Sequence, residues 1–325
     1  MERTILKKRA SKGLMPLPLH ELRRKLREAF DEKAESRDPA VRALRAGLPV
    51  IVGRKCEPLC PEEERHRATL EALKAFREYG VKTVVETKCL IKDEEYYDLL
   101  SGILISVMPG SRALHNRLEP GTPTFEERFE LAKEAKDRGL WVGLVAEPII
   151  PSVNDRPELF EEYARQAAKA EVNHVCFGPL RIHNVKLAYE RLKQAGVSLE
   201  LVAKHLRDWK RIGGTFFEVL RKYGLRASTP DWVGFPFSSD CEGCCGLDSF
   251  GLHHFTFQKA LRLLRERGRV SLKDLAPFNI FGDEALAKFR EVWNPSRKYF
   301  TLSDVEGVRR IGIDGNGDAI YGFMR

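Results

Sequence analysis

The sequence predicts an α/β protein built as a parallel (β/α) barrel or partial barrel. Short apolar runs alternate with amphipathic stretches from Leu48 onward, helix start and stop signals sit between them, and polar residues gather where the apolar runs end. Alternation of this kind gives right-handed crossovers and parallel strands. Polar loops at carboxyl strand ends are where barrel enzymes place their chemistry. The expected body spans residues 40–225, after a basic helical arm over 1–39 and before a cysteine-containing loop with a small α/β subdomain over 226–325.

Taken in order, Leu22, Leu26 and Phe30 recur at helical spacing within His20 to Ala34. Glu35 to Pro39 breaks that helix, Ala40 to Ala46 forms a short one, and Leu48 to Val52 is a strand between Gly47 and Gly53. Pro61 with three following glutamates opens a helix predicted to run unbroken to Tyr79, because proline and carboxylates suit the positive end of the dipole. Lys82 to Glu86 is a strand, Asp93 caps a helix to Leu100, and Ile103 to Val107 is a strand. Thr124 and Glu127 spell a capping box before a helix to Arg138, Gly139 stops it, and Leu140 to Ala146 is a buried strand. Helix over Pro157 to Ala170, strand over Val172 to Phe177 and helix over Val185 to Gln194 follow. Leu201 to Tyr223 is helical with an interruption expected at Gly213-Gly214. Beyond a turn-rich loop from Asp231 to Gly251, His254 to Glu266 and Glu284 to Trp293 are helices, Arg269 to Leu275 is a connector, and Val308 to Met324 is a hairpin turning at Asp314 to Gly317.

The net charge is +8, and residues 1–47 hold 13 Lys or Arg against 7 Asp or Glu. Such an arm suits nucleic acid phosphates, the alternative being a solvated leader with a surface helix, since Phe30 is its one aromatic. No apolar run approaches the about 20 residues a bilayer requires and the start is charged, so a soluble cytoplasmic protein without membrane partners is expected. No Walker loop, dinucleotide Gly-x-Gly-x-x-Gly or Ser-His-Asp ordering is present. Asp314-Gly-Asn-Gly-Asp318 opens like a calcium loop, but Ala319 and Arg325 stand where glycine and the last carboxylate are required.

Five of the seven cysteines fall in two groups, Cys56 with Cys60, and Cys241 with Cys244 and Cys245. Clustered thiols without an export signal read as metal or iron-sulfur ligands rather than disulfides. Cys241, Cys244 and Cys245 lie between glycines that let the backbone wrap an ion, with Cys56, Cys60, His253 or His254 as a fourth ligand; buried thiols without metal are the alternative.

Lys82 to Leu90, Ile103 to Val107, the Leu-Glu-Pro-Gly-Thr-Pro of residues 118–123 with Arg128, and Pro148 to Asp155 follow one another in an order that resembles the spore photoproduct lyase-like branch of the radical S-adenosylmethionine superfamily. The likeness covers roughly residues 40–200 and implies a barrel of that type, a 4Fe-4S cluster, S-adenosylmethionine, an electron donor and a damaged nucleic acid as substrate class. It further implies Lys88, Glu119 and Asn154 as ligands of the cofactor's polar groups. On the residues alone, Glu119 could instead pair with Arg117 or Arg128, and Asn154 could cap the helix after Pro157. The chain departs from the family at the cluster triplet, Cys-x3-Cys-x2-Cys: residues 1–36 contain no cysteine, and Cys56 and Cys60 lack a third member. Two readings follow, a cluster enzyme whose ligands are shared between the two cysteine groups, or a retired barrel with a structural zinc or cluster that binds nucleic acid or protein.

Overall fold

The computed structural model describes residues 18–31, 36, 38–54, 56–180, 190, 192–194, 196–200, 202, 208–230, 237–239, 241–243, 245–251, 254–294 and 301–324. Two helices, α1 (Leu19–Phe30) and α2 (Pro39–Arg45), precede strand β1 (Val50–Val52). Helices α3 (Glu63–His66) and α4 (Ala68–Glu78) lead to β2 (Thr83–Thr87), and α5 (Glu95–Leu99) leads to β3 (Gly102–Ser106). Helices α6 (Arg112–Leu118) and α7 (Phe125–Asp137) precede β4 (Trp141–Ile149), α8 (Pro157–Lys169) precedes β5 (His174–Pro179), and α9 (Trp209–Lys222) precedes β6 (Ala227–Ser228).

The six strands pair in parallel in the order β1-β2-β3-β4-β5-β6. Order without reversal keeps the crossover helices on one side, so the sheet is a partial barrel and not a doubly wound layer. Alternation along the strands separates two faces. Val85, Ile103, Ile105, Leu144, Val175 and Phe177 face the helices and join Leu73, Phe129, Phe160, Tyr163 and Phe216 in the main core. Burial of each such side chain is worth about 1.5–3 kcal/mol.

The other face carries Ile51, Val84, Leu104, Trp141 and Val145, and the cysteine loop covers it with Cys245, Leu247 and Phe250. His174 pins that loop: its Nε2 lies 3.1 Å from Ser228 Oγ and its Nδ1 lies 3.6 Å from Cys241 Sγ. Gly246 has φ +69°, and a Cβ there would fall 2.4 Å from the His174 ring, so only glycine fits.

A second core belongs to the last part of the chain. Helix α10 (Phe257–Arg267), strand β7 (Arg269–Ser271), the short helix α11 (Leu272–Leu275), helix α12 (Asp283–Trp293) and strands β8 (Val308–Ile313) and β9 (Ala319–Phe323) surround Leu264, Val270, Trp293 and Tyr321, with antiparallel sheet order β7-β9-β8.

Helix α6 and strand β6 fall where the sequence reading placed no element, and three of its elements differ. The helix expected from Pro61 to Tyr79 breaks at Arg67, which takes a left-handed φ of 46°. Glu63 makes the break: its buried carboxylate accepts from Thr69 N and Leu70 N, both at 3.0 Å, and so caps α4 from six residues upstream. Gly213-Gly214 does not interrupt α9; a Cβ on Gly213 would fall 2.9 Å from the Phe237 ring, so glycine serves close packing. The connector at Arg269 is strand β7, pairing with β9. Most of the helix expected over Val185 to Gln194 lies outside the described residues.

Tyr96 Oη also donates to Glu63, at 2.7 Å. Replacing Glu63 with Leu should therefore strand three donors and lower stability by about 2–4 kcal/mol, read as a fall in the midpoint of denaturant unfolding. An unchanged midpoint would show that the α3–α4 break does not depend on this carboxylate.

Candidate functional site

The loops after β1, β2 and β3 are tied together by carboxylates. Glu57, between Cys56 and Cys60, accepts from Lys88 N at 2.8 Å and from the Thr87 hydroxyl. Lys88 Nζ pairs in turn with Glu119, whose other oxygen accepts from Arg128 Nη1 at 2.8 Å. Arg128 is fully buried and also donates to Ser106 O at 2.8 Å and Pro123 O at 3.0 Å. A buried guanidinium with both carbonyl and carboxylate acceptors is satisfied electrostatically and geometrically. Burial by itself would raise the Glu119 carboxyl, but the His115 ring 3.8 Å away, then Lys88 and Arg128, hold it well below the usual carboxylate range. Of the readings open for Glu119, the pairing with Arg128 is the one observed, and Lys88 joins it.

A second polar group lies on the inner face, just inside this rim. Arg54, following β1, donates to Glu86 at 3.0 Å and to Cys245 Sγ at 3.4 Å, so the loop after β1 and the cysteine loop meet. Glu147 near the end of β4 has its pKa pushed up to about 7, first by burial and then by Cys245 nearby, with Arg54 opposing. Cys176 Sγ lies 3.7 Å from Glu147 Oε1. A Cβ on Gly178 would come 3.0 Å from the same oxygen, so the glycine leaves the carboxyl its place. A carboxyl titrating near neutrality inside a barrel is suited to giving and taking a proton. Sequence reasoning gave no role to Glu147, Arg54, Glu86 or Cys176. The available signal was a glutamate inside each of two apolar strands, Thr83 to Thr87 and Trp141 to Ile149.

The remaining candidates are placed as follows. Asn154 is fully buried and its amide serves its own loop, accepting from Ile150 N at 2.6 Å and donating to Pro148 O at 3.1 Å. Cys56 is exposed and Cys60 half-buried, its thiol raised by burial. A cavity of about 130 Å³ opens beside Cys60, lined also by Leu59, Glu63, Leu90, Ile91 and Tyr96. Cys89, which the sequence reading did not single out, lies near Glu57 and Cys60, and burial first pushes its pKa to about 11. Cys241 is buried and raised likewise to about 11, and Cys245 is buried against Val84, Leu104 and Val145. Cys244 and His253 lie outside the described residues.

The donor set fits a thiolate-bound metal in kind, being soft sulfur on two loops that touch through Arg54 and Cys245. In arrangement it does not form the family's triplet. The place of the third cysteine, three residues after Cys60, is taken by Glu63, committed to capping α4, and among the described residues no three His, Cys, Asp or Glu side chains converge as metal ligands. No helix among the described residues is long and apolar enough to cross a membrane.

Comparison with known proteins places these features beside a few others. No family model matches the chain. Over 166 residues it is 26% identical to the uncharacterized protein ORF301 of Acidianus two-tailed virus, covering 45% of this chain and 50% of that one. The chain thus spans about half the length of the curated relative it matches. Streptococcus suis SuiB bound to S-adenosylmethionine is similar over 57% of this chain and 41% of its own, with TM-score 0.38 and 15% identity. SuiB bound to its precursor peptide SuiA gives 60%, 41%, 0.40 and 15% by the same measures. A domain of pyruvate-formate lyase-activating enzyme from Bacteroides vulgatus is similar over 55% of this chain and 97% of its own, with TM-score 0.39 and 15% identity. The partial-barrel assignment itself rests on the strand order of the parallel sheet.

Two predictions test the electrostatics. Glu119→Gln leaves Arg128 and Lys88 without their anion and should cost about 3 kcal/mol at pH 7. Because the folded pKa of Glu119 is depressed, its contribution is present above the unfolded carboxylate value and lost on acidification through the folded one, so the wild-type and variant unfolding midpoints should converge below pH 4.5. Glu147 has the opposite sign. Its raised folded pKa contributes stability that is fully present below the ordinary carboxyl value of 4.5 and is lost as pH climbs to about 7, so Glu147→Gln should flatten the decline in stability across this window. Parallel profiles for wild type and variant would show that Glu147 titrates normally.

Proposed function

We propose that the chain is a radical S-adenosylmethionine-type protein of the spore photoproduct lyase-like kind, acting on nucleic acid, whose sulfur ligands come from two loops instead of one triplet. The observation that carries the reading is the 3.4 Å contact between Arg54 and Cys245, which joins the Cys56 to Cys60 loop to the Cys241 to Cys245 loop at the rim that also bears Lys88 and Glu119. Cys56, Cys60, Cys241, Cys244 and Cys245 are the proposed ligands, and Lys88 and Glu119 the groups facing the polar parts of S-adenosylmethionine. Asn154 shapes the loop beside them. A 4Fe-4S cluster, if held by these cysteines, would supply the one-electron chemistry that cleaves S-adenosylmethionine, with an external electron donor as partner. The chain's own contribution is a water-poor inner face, a fixed cation at Arg54 and a carboxyl at Glu147 able to hold or release a proton near neutrality.

A second reading is favoured by Glu63. A glutamate committed to capping α4 in the third place of the triplet suits a barrel that has left cluster chemistry and keeps a zinc in the Cys241 loop as a binding module.

Anaerobic reconstitution with iron and sulfide separates them. The first reading expects a brown protein that converts S-adenosylmethionine to deoxyadenosine, with iron content reduced at least twofold in either Cys56→Ala/Cys60→Ala or Cys241→Ala/Cys245→Ala. Colourless protein retaining zinc supports the second. Iron content indifferent to the Cys56 and Cys60 pair would remove the shared site.

A further inference from the structure

We propose that residues 255–324 form a winged helix-turn-helix module that grips duplex DNA through the β8–β9 hairpin. The proposal stands apart from the reading of the half-barrel. The order α10, β7, α11, α12, β8, β9, with sheet order β7-β9-β8, places a helical pair, α11 and α12, beside a protruding hairpin. A helix pair of this kind docks on duplex grooves. The module has its own core, drawn from residues between Phe257 and Tyr321.

Hairpin and helix form one stiff unit. Trp293 at the end of α12 donates from Nε1 to Ala319 O at 2.8 Å, and Asn294 Oδ1 accepts from Ala319 N at 2.8 Å. Buried Asp318 accepts from Arg290 Nε at 3.1 Å and Asn294 Nδ2 at 3.2 Å, which locks the turn onto the helix. A hairpin held this way meets a partner without an ordering cost.

Its exposed surface has the chemistry of a DNA contact. Arg309 of β8 and Arg269 of β7 both pair with Gly322 of β9, which sets two arginines in one row across the sheet. Arg309 and Arg310 are exposed and, with Arg269, make no salt bridge with a described residue. Ile311 and Ile313 beside them are 48% and 63% exposed. Arginines with adjacent apolar side chains are what minor-groove hairpins present to phosphates and sugar edges. By contrast, the described cations of the N-terminal arm are largely engaged at home: Arg23 with Glu78, Arg24 with Glu28 and Lys25 with Asp38. Residues 255–325 carry 13 Lys or Arg against 9 Asp or Glu, a net +4, so the field favours an anion. A hairpin of this kind suits the narrow minor groove of B-form DNA better than the wide, shallow minor groove of duplex RNA.

The test is fluorescence anisotropy of the full chain with a labelled mixed-sequence DNA duplex at about 50 and 200 mM salt, against the same single strand, an RNA duplex and vesicles containing phosphatidylglycerol. Wild type is expected to prefer duplex DNA. Arg309→Glu/Arg310→Glu should weaken binding at least about tenfold at the lower salt and reduce the slope of log Kd against log salt by about 2. Ile311→Ser/Ile313→Ser should weaken binding with the slope retained, and thermal unfolding of both surface variants should match wild type. The proposal is overturned if charge reversal leaves the affinity intact, if single strand or RNA binds as tightly, if only the anionic vesicles bind, or if Arg23→Glu/Arg24→Glu abolishes binding while the hairpin variant does not.

Discussion

The fold depends on how the inner face of an open parallel sheet is covered. Strands in sequential order send every crossover to the outside, so Val84, Leu104 and Val145 would meet water unless something else lay over them. The cysteine loop supplies that cover. Its position is set by His174 with Cys241 and by Gly246, where any side chain would strike the imidazole. Thiols are brought to the inside of the barrel for the same reason: Cys245 is both a small apolar plug and a neighbour of Arg54. Any metal bound through Cys245 would have to compete with this sealing role for the same sulfur.

The rim obeys a different constraint. Arg128 has no exposure, and a guanidinium in that position demands a carboxylate as well as backbone acceptors. Glu119 meets the demand and also holds Lys88, while Glu57 takes the backbone of Lys88. Three loops from distant parts of the chain are fixed by two carboxylates. A cofactor reaching Lys88 or Glu119 would have to compete with this pair or accept it as a ready-made dipole. The second is less demanding, since the charges stay compensated.

Local signals were legible in the sequence and long-range ones were not. The capping box of Thr124 and Glu127 appears as read, because its partners are three residues apart. The β/α alternation was readable because each strand carries its own apolar run. Arg67 was not, since its left-handed turn is imposed by Glu63 reaching to Thr69 and Leu70. Gly213-Gly214 was misjudged because the ring of Phe237, not the helix, decides what fits there. Strand β7 has three residues and acquires meaning only through β9. At the site, Lys88 and Glu119 were singled out through the family resemblance, whereas their pairing with each other is seen only in the folded chain. The near-neutral carboxyl of Glu147 could not, because its surroundings come from β1, β5 and the cysteine loop at once.

The cysteine loop also joins the two cores. Glu242, next to Cys241, is buried and accepts from Lys259 at 2.7 Å and from Arg262 at 2.9 Å, both on α10 of the C-terminal module. Gln258 of the same helix donates to Thr229 O at 2.9 Å, beyond the end of β6. A charge buried with two cations resists being pulled away, since separating the pair leaves ions without compensation. Displacement of α10 would consequently be felt at Cys241 and, through the loop, at Cys245 and Arg54. The module at the end of the chain and the inner face of the barrel are thus mechanically linked by one carboxylate, and any rearrangement of the cysteine loop has to be reconciled with the position of α10.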